Sequence, residues 1–401
     1  MRVTQGMQQA QFLTSLNQLE SSISQTQNGI STGLSFTTAS QNPVDAGLVN
    51  GYSSALAQSQ QYTTNANSAQ TDLSTEDTAL TQLQTQLQSL RDLALQANSG
   101  TESPQNLSAI ATQASQIQNS LLSLANTQDG SGNYIFGGYA SQTQPFTLTA
   151  TGATYNGDQG QRQVQIAAGQ TVAVADNGDL VFNQIKTGNG TFNVTAAAGN
   201  TGTGVVGATT VSAPTAYGGD TYSINFTTPN AYQVVDTASH AVVASGAYTT
   251  GQTIAFSGLQ VTLSGQPAAG DSFSVAPSTD QSLFTTVQNL VTALQTPSGA
   301  SGGAAGAQLS NSINSAINNI DQAFSQLQTV QSDVGGRLNS ITTQLSVGTS
   351  QQAQLQQSIT SLQGLNYATA ITSLDSQNTT LSAAMQAFTL TQGLSLFKYI
   401  S

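Results

Sequence analysis

Residues 367–388, YATAITSLDSQNTTLSAAMQAF, decide the fold of this chain because their apolar positions repeat in steps of four and three. The repeat is formed by Tyr367, Ile371, Leu374, Asn378, Leu381, Met385 and Phe388. A heptad stripe of this kind is typical of a helix that packs against another helix along its length.

The N-terminal end of the chain carries a matching stripe with steps of four, three, four and seven. Its members are Phe12, Leu16, Leu19, Ile23 and Ile30. Each amphipathic segment spans about 26 residues, or roughly 39 Å at 1.5 Å per residue, so the two can pair along their full length. We therefore predict a long antiparallel coiled-coil rod that is formed by both ends of the chain.

The flanks of these two stripes are almost uncharged. Only Arg2, Glu20 and Asp45 carry charge in the first 71 residues, and the other polar positions are mostly Gln, Ser, Thr and Asn. A coiled coil in water normally uses charged flanks to select its partner and remain soluble. Uncharged flanks favour burial among many copies of the same helix pair, because repeated like charges would repel one another. A self-contained bundle with an amide-rich surface is the alternative.

The stripes define a predicted assembly interface, which the apolar end of the chain extends. It comprises Phe12, Leu16, Leu19, Ile23, Ile30, Tyr367, Ile371, Leu374, Leu381, Met385, Phe388, Leu396 and Phe397. Too many polar residues interrupt the C-terminal segment for a helix that crosses a bilayer. We therefore expect packing against protein and no membrane partner.

Residue composition divides the chain into an α+β, multidomain arrangement. Residues 1–42 and 360–401 are predicted as the terminal coiled-coil helices of an inner tube, and residues 43–139 and 281–359 as a helical rod domain. Between them, at 140–280, glycine is frequent and apolar residues alternate in short runs such as YSINF at 222–226. This pattern predicts an inserted, mainly antiparallel β domain that faces outward.

Charge and cysteine content exclude several classes of function. Six basic residues against eighteen acidic ones leave a net charge of −12, which argues against nucleic acid as a partner. The chain has no cysteine, so it offers no thiol chemistry. The start MRVTQGMQQAQFLTSL lacks the apolar core of a signal peptide, so we expect export without a cleaved signal.

No pattern in the sequence predicts a catalytic, metal or cofactor site. The single histidine, His240, is interpreted as a surface or hairpin residue, and the metal-binding pattern HExxH does not occur. The loops at 129–133 and 176–179 resemble calcium loops only in part, and a hairpin turn is favoured for both. We expect a protein that is not an enzyme and uses no cofactor.

Several segments resemble the flagellar hook-associated protein 3 family. They are ISTGLSF at 30–36, NPVDAG at 42–47, YTTNANSAQTDL at 62–73, RDLALQANSGT at 91–101, LANTQDGSGNYIFGG at 124–138 and GLSLFKYI at 393–400. Where that family usually shows Ser-Asp-Asp-Pro, this chain has Ser40-Gln41-Asn42-Pro43. The match requires several motifs in order at both ends of the chain, so it is specific.

The resemblance implies a structural protein at the junction between the flagellar hook and filament. Members of the family form a ring of about eleven copies, in which coiled-coil helices line an inner tube. The implied partners are the hook-associated proteins on the hook side and the filament side, and an export chaperone on the C-terminal helix. The implied location is extracellular, in the flagellum.

Two other classes of function remain open. A filament-forming flagellin would share the same arrangement of chain ends, and purified protein would then grow long polymers on seeds. A surface adhesin would bind a glycan or host protein through residues 140–280, although the sequence offers no clustered aromatic platform there.

Overall fold

The computed structural model describes residues 5–100, 102–296 and 302–393, and it confirms the α+β class. The helices are α1 (Gln5–Thr32), α2 (Pro43–Ala97), α3 (Pro104–Ala125), α4 (Leu283–Gln295), α5 (Gly303–Gln363) and α6 (Tyr367–Gly393). All of the strands lie between α3 and α4 and pair antiparallel. The alternating runs in the sequence therefore identified the strand region correctly.

The strands form one five-stranded sheet, one three-stranded sheet and three two-stranded sheets. Their bounds are β1 (Phe146–Thr149), β2 (Gly152–Tyr155), β3 (Gln163–Ala167), β4 (Gln170–Ala173), β5 (Ile185–Lys186), β6 (Phe192–Ala196), β7 (Val205–Val211), β8 (Tyr222–Thr228), β9 (Ala231–Asp236), β10 (Val242–Ala247), β11 (Thr253–Phe256), β12 (Leu259–Ser264), β13 (Ser272–Pro277) and β14 (Asp280–Gln281). The large sheet has the order β10-β9-β8-β13-β6, and the three-stranded sheet has the order β11-β12-β7.

Contacts divide the chain into two compact units. The terminal unit comprises Met1–Thr64 and Gln344–Ser401, and the central unit comprises Asn65–Thr343. The boundaries fall within α2 and α5. The three-part division of the chain made from composition stays a prediction.

Helix α2 begins where its sequence predicts. The Asn42 side chain accepts a hydrogen bond from the Asp45 N–H at 3.2 Å, and Pro43 occupies the first helical position. Asp45 places a carboxylate in the first turn, where it interacts favourably with the helix dipole.

The unusual residue Gln41 has a defined role beside this cap. Its Oε1 accepts hydrogen bonds from the backbone N–H groups of Thr37 at 2.7 Å and Thr38 at 3.3 Å. An amide oxygen therefore satisfies the two donors of the turn that precedes α2 without adding charge. The turn needs an acceptor at position 41 but does not need an acidic side chain.

Four phenylalanines form the centre of the central unit next to α3 and α4. Phe136, Phe146, Phe182 and Phe284 are fully buried, with ring centroids 5.1–5.8 Å apart in the pairs that touch. Each ring comes from a different part of the chain: the loop after α3, β1, a π-helical turn at Asp179–Asn183, and α4. Aromatic pairs in these edge-to-face, tilted and stacked arrangements add stability beyond their buried area.

A separate hydrophobic core lies inside the two larger sheets. It contains Phe192, Val194, Val206, Tyr222, Ile224, Phe226, Tyr232, Val234, Tyr248, Ile254, Phe256, Leu259, Val261, Leu263, Phe273 and Val275. We call residues 192–277 the β module. Its first and last residues, Phe192 and Pro277, are register partners in the β6–β13 pair, so the module begins and ends at the same point.

Amide side chains of α5 contact one edge of the β module. Asn311 accepts from the Val206 N–H at 2.8 Å and donates to the Gly204 carbonyl at 3.0 Å, while Asn314 donates to the Val206 carbonyl at 2.9 Å. Gln308 contributes further hydrogen bonds to the loop after β6. These contacts are polar and partly exposed, so they orient the module without joining its core to that of the helices.

The prediction of a hairpin turn at residues 176–179 is wrong. After β4 the chain enters the π-helical turn Asp179–Asn183, in which the Asn177 side chain accepts from the Leu180 N–H at 2.9 Å. Long-range contacts decide this conformation, because Phe182 from the turn fills the aromatic cluster. At 129–133 the Asp129 carboxylate instead accepts from the N–H groups of Ser131 and Asn133, as in a tight turn.

Truncation of the aromatic cluster should destabilise the central unit strongly. We expect Phe182→Ala to lower the free energy of unfolding by about 3–5 kcal/mol, because it leaves a cavity among three other buried rings. Leu148→Ala on the adjacent strand β1 is the matched control, since Leu148 is about half exposed and its truncation should cost less than about 1 kcal/mol. Denaturant unfolding of both variants measures the difference; equal losses would contradict the packing described.

Candidate assembly interface

Helices α1 and α6 pair antiparallel in the terminal unit. The rings of Phe12 and Phe388 stack with centroids 4.9 Å apart, and the Thr26 hydroxyl donates to the Gln377 amide oxygen at 3.1 Å. Leu34 and Gly364 form an isolated antiparallel bridge just beyond α1 and just before α6. The two ends of the chain therefore meet along a continuous line, as their stripes predict.

The turn that connects α1 to α2 requires glycine at one position. Gly33 has φ of +75°, a backbone conformation that L side chains rarely adopt, and a Cβ built there would lie 3.0 Å from the Tyr367 hydroxyl. The same turn is held by the backbone bonds of Ser35 N–H to Gln363 O and of Leu365 N–H to Gly33 O. Backbone pairing thus fixes the register of α1 against α6.

The predicted stripe of α6 separates into two lines. Leu374, Leu381 and Phe388 are half-buried, and Phe388 faces α1. Ile371 and Met385 remain about half exposed, at 50% and 52%. The second line, with Tyr367 at its start, thus leaves apolar surface open in the monomer.

The N-terminal stripe lies on one side of α1. Ile23 is buried, and the remaining members Phe12, Leu16, Leu19 and Ile30 are half-buried. Pairing with a single helix leaves these residues partly accessible, as expected when each helix has only one neighbour. The last two predicted interface residues, Leu396 and Phe397, lie outside the described residues.

The terminal unit has little hydrophobic core. Among its described residues the buried hydrophobic side chains are only Ile23, Phe36, Ala46, Val49 and Ala370. Yet it holds nine of the fourteen exposed large hydrophobic residues: Met7, Leu13, Val44, Leu48, Val347, Tyr367, Ile371, Met385 and Leu390. Exposed large hydrophobic residues are therefore concentrated in the terminal unit.

Sequence reasoning missed part of this exposed surface. Val44, Leu48 and Val347 lie on α2 and α5, where no heptad stripe drew attention to them, and Leu390 follows the last stripe position of α6. The four-residue spacing of Val44 and Leu48 places both on one face of α2. That spacing was the available signal, but only burial shows that no neighbour covers the face.

The charge of the terminal unit is small. Across its described residues, 5–64 and 344–393, the charged side chains are Glu20, Asp45 and Asp375, and neither lysine nor arginine occurs there. A polar groove of about 530 Å³ between α1, α6 and the turn after α1 is lined by uncharged residues, including Thr26, Asn366 and Gln377. This surface suits packing against identical copies, because it generates almost no like-charge repulsion.

The described residues include neither a metal-binding cluster nor a membrane-spanning helix. They contain no group of three His, Cys, Asp or Glu side chains placed to hold a metal ion. Within the same residues, every helix is too short or too polar to cross a membrane. His240 closes the β9–β10 hairpin, with its N–H donating to the Asp236 carbonyl at 2.9 Å, so its interpretation as a hairpin residue is confirmed.

Two parts of the chain match known families. Residues 3–141 match the family described as the bacterial flagellin N-terminal helical region. Residues 195–277, nearly the whole β module, match the D2-like domain of flagellar hook-associated protein 1. The matched regions correspond to the N-terminal helices with the loop after α3, and to the β module.

The chain is also similar to whole proteins. Flagellar hook-associated protein 3 of Salmonella typhimurium is 30% identical over 185 residues, which cover 46% of this chain and 58% of that protein. The chain thus matches only a little over half the length of this curated relative. The crystal structure of Xanthomonas campestris FlgL is 32% identical with a TM-score of 0.72, covering 77% of this chain and 99% of the other.

A second solved structure, the flagellar junction protein FlgL from Legionella pneumophila, is 30% identical with a TM-score of 0.71. The similarity covers 79% of this chain and 100% of the Legionella protein. Sequence and fold therefore agree over nearly the full length of two solved relatives. The chain belongs to the flagellar hook-associated protein 3, or FlgL, family.

Proposed function

We propose that this protein is a structural component of the bacterial flagellum that joins hook to filament by packing its terminal helices against those of neighbouring copies. The observation that carries the proposal is the terminal unit, which exposes more large apolar side chains than it buries and carries almost no charge. A surface of this kind is stable in water only when neighbours cover it. Membership of the FlgL family supplies the place of assembly.

The interface uses both lines of α6 and the stripe of α1. Leu374, Leu381 and Phe388 join α6 to α1 within one copy, whereas Tyr367, Ile371 and Met385 face the next copy. The proposed interface comprises the thirteen residues predicted from the sequence, of which Leu396 and Phe397 come from the apolar end of the chain and the others from the heptad stripes. Val44, Leu48, Val347 and Leu390 extend it, because they are exposed in the same unit.

The finer assignments follow from the family resemblance. The copies close into a ring of about eleven, which is a head-to-tail arrangement that a cyclic symmetry allows. The ring contacts a hook-associated protein on each side, and a chaperone covers the C-terminal helix before export. Export proceeds without a cleaved signal, and the protein acts outside the cell. In the ring, residues 1–42 and 360–401 are the inner helices. Residues 43–139 and 281–359 form the rod domain, and residues 140–280 face outward.

A strain that lacks the gene tests the proposal directly. We expect electron microscopy to show hooks without filaments, and filament protein to accumulate in the culture medium. Restoration of the gene should restore filaments. Normal filaments in the deletion strain would contradict a junction role, and growth of long polymers by the purified protein on seeds would favour a filament subunit instead.

A charge on the exposed line of α6 should block assembly without unfolding the monomer. Met385→Asp places a carboxylate where a neighbouring copy packs, and an uncompensated buried charge costs several kcal/mol per subunit. Because Met385 is about half exposed in the monomer, we expect its stability to change by less than about 0.5 kcal/mol. Filament counts on cells and thermal unfolding of the purified monomer measure the two effects.

Met385→Leu is the matched control, since it keeps the apolar character and nearly the same volume. It should support normal filaments. If Met385→Asp also supports normal filaments, or if it unfolds several degrees earlier as a monomer, residue 385 belongs to an intramolecular contact and not to the interface between copies.

Removal of the β module should leave both folding and junction function largely intact. Replacement of residues 193–276 by four Gly/Ser residues joins Phe192 to Pro277, which are already register partners, and removes a core that is separate from the aromatic cluster. The wider deletion of 145–276 also removes Phe146 and Phe182, so it should fail to fold. Circular dichroism and filament counts distinguish the two; a folded short variant without filaments would make the module part of the junction.

A further inference from the structure

A cluster of three ionisable side chains, two of them buried, joins α2, the segment after β4, and α5 in the central unit. Glu76 is fully buried and Asp176 is only 2% exposed. Arg337 donates two hydrogen bonds to Asp176, at 3.0 Å from Nη1 to Oδ2 and at 2.8 Å from Nη2 to Oδ1. Gln161 donates a further bond to Asp176 Oδ1 at 2.7 Å.

Glu76 contacts this ion pair through the backbone. Its Oε1 accepts from the Asp176 N–H at 2.9 Å, and its Oε2 has no hydrogen-bond partner. The guanidinium of Arg337 is already committed to Asp176. A charged Glu76 would therefore be a second buried carboxylate with no direct counter-ion, a state that costs far more than the protonated form.

Burial and the neighbouring carboxylates favour the protonated form of Glu76. Burial and, second, the neighbouring Asp176 carboxylate raise the pKa of the Glu76 carboxyl to about 8, although the Asp176 N–H and Arg337 partly offset the rise. Asp77, beside Glu76 on α2, also raises this pKa. On α5, Asp333 lies near Arg337 and raises the pKa of its guanidinium.

We propose that Glu76 is a proton switch, which holds the segment Val174–Asn183 against α2 and α5 when it is protonated and releases that segment when it ionises. The segment carries Asp176 at the ion pair and Phe182 in the aromatic cluster. Release therefore loosens two contacts at once, one polar and one apolar. The central unit is therefore more mobile at mildly alkaline pH and more rigid at acidic pH.

The direction of the pH dependence follows from the carboxyl chemistry. A carboxyl whose pKa is raised by folding binds its proton more tightly when the segment is closed than when it is open. The Glu76 proton stabilises the closed segment fully below about pH 4.5, and this stabilisation is lost progressively as the pH rises to about 8. Within that window the opening equilibrium of a one-proton switch changes about tenfold per pH unit.

The chain is suited to a direct titration, because it contains only three glutamates, Glu20, Glu76 and Glu102. Protein in which glutamate alone carries ¹³C at Cδ gives three carboxyl signals, and Glu76→Gln identifies the signal that belongs to Glu76. We expect that signal to titrate well above the range of an ordinary carboxyl, near pH 8. Titration of Glu76 in the ordinary range would overturn the proposal, and this result does not depend on whether any variant folds.

Amide exchange at Asp176 tests the coupling to the segment. After correction for base catalysis, protection of the Asp176 N–H should fall about tenfold per pH unit between pH 5 and 8 in the unaltered protein. Glu76→Gln retains the acceptor oxygen but cannot ionise, so its protection should be independent of pH. Asp77→Asn is the matched control, with the same loss of a carboxylate one residue away, and should keep the original slope.

Two results would overturn the switch. One is an unchanged slope in Glu76→Gln, which would assign the pH dependence to another group. The other is pH-independent protection in the unaltered protein. The switch lies wholly in the central unit, so either result leaves the proposed junction function, which rests on the terminal unit, unaffected.

Discussion

The antiparallel pairing of α1 with α6 is the interaction on which the rest of the terminal unit depends. It brings the two ends of a 401-residue chain together, through the stacked rings of Phe12 and Phe388 at one end and the backbone bridge between Leu34 and Gly364 at the other. Because only one helix covers the other, the pair buries part of its apolar surface and leaves the rest open. The pairing of α1 with α6 thus determines the fold of the terminal unit and also leaves part of its apolar surface exposed.

The central unit, in contrast, buries most of its large apolar side chains within its own fold. Its aromatic cluster and its β module each have a closed core, so neither needs a neighbouring copy for stability. Three of the four described basic side chains, Arg91, Lys186 and Arg337, pair with aspartates in this unit. Charge and core are therefore concentrated where the chain is self-sufficient, and both are scarce where we propose that copies assemble.

Glu76 shows how a buried group can escape sequence reasoning. It lies three residues after Leu73 and four before Leu80, on the buried face of α2, but this spacing does not show which groups surround a glutamate placed there. Its environment is set by Asp176 and Arg337, which are 100 and 261 residues away in the chain. The raised pKa of this carboxyl is thus a consequence of the packing between three distant segments.

The sequence by itself determined the start of α2, the strand-rich region and the two heptad stripes, because caps and periodicity act over a few residues. Asn42 and Pro43 begin α2 as local rules require, and the alternating residues of 222–226 form β8. Only the tertiary structure decided which side of α6 faces α1, so that Leu381 is half-buried while Met385 is open. It also decided that residues 179–183 form a π-helical turn. Those outcomes depend on which distant side chains compete for the same space, and a local pattern carries no information about that competition.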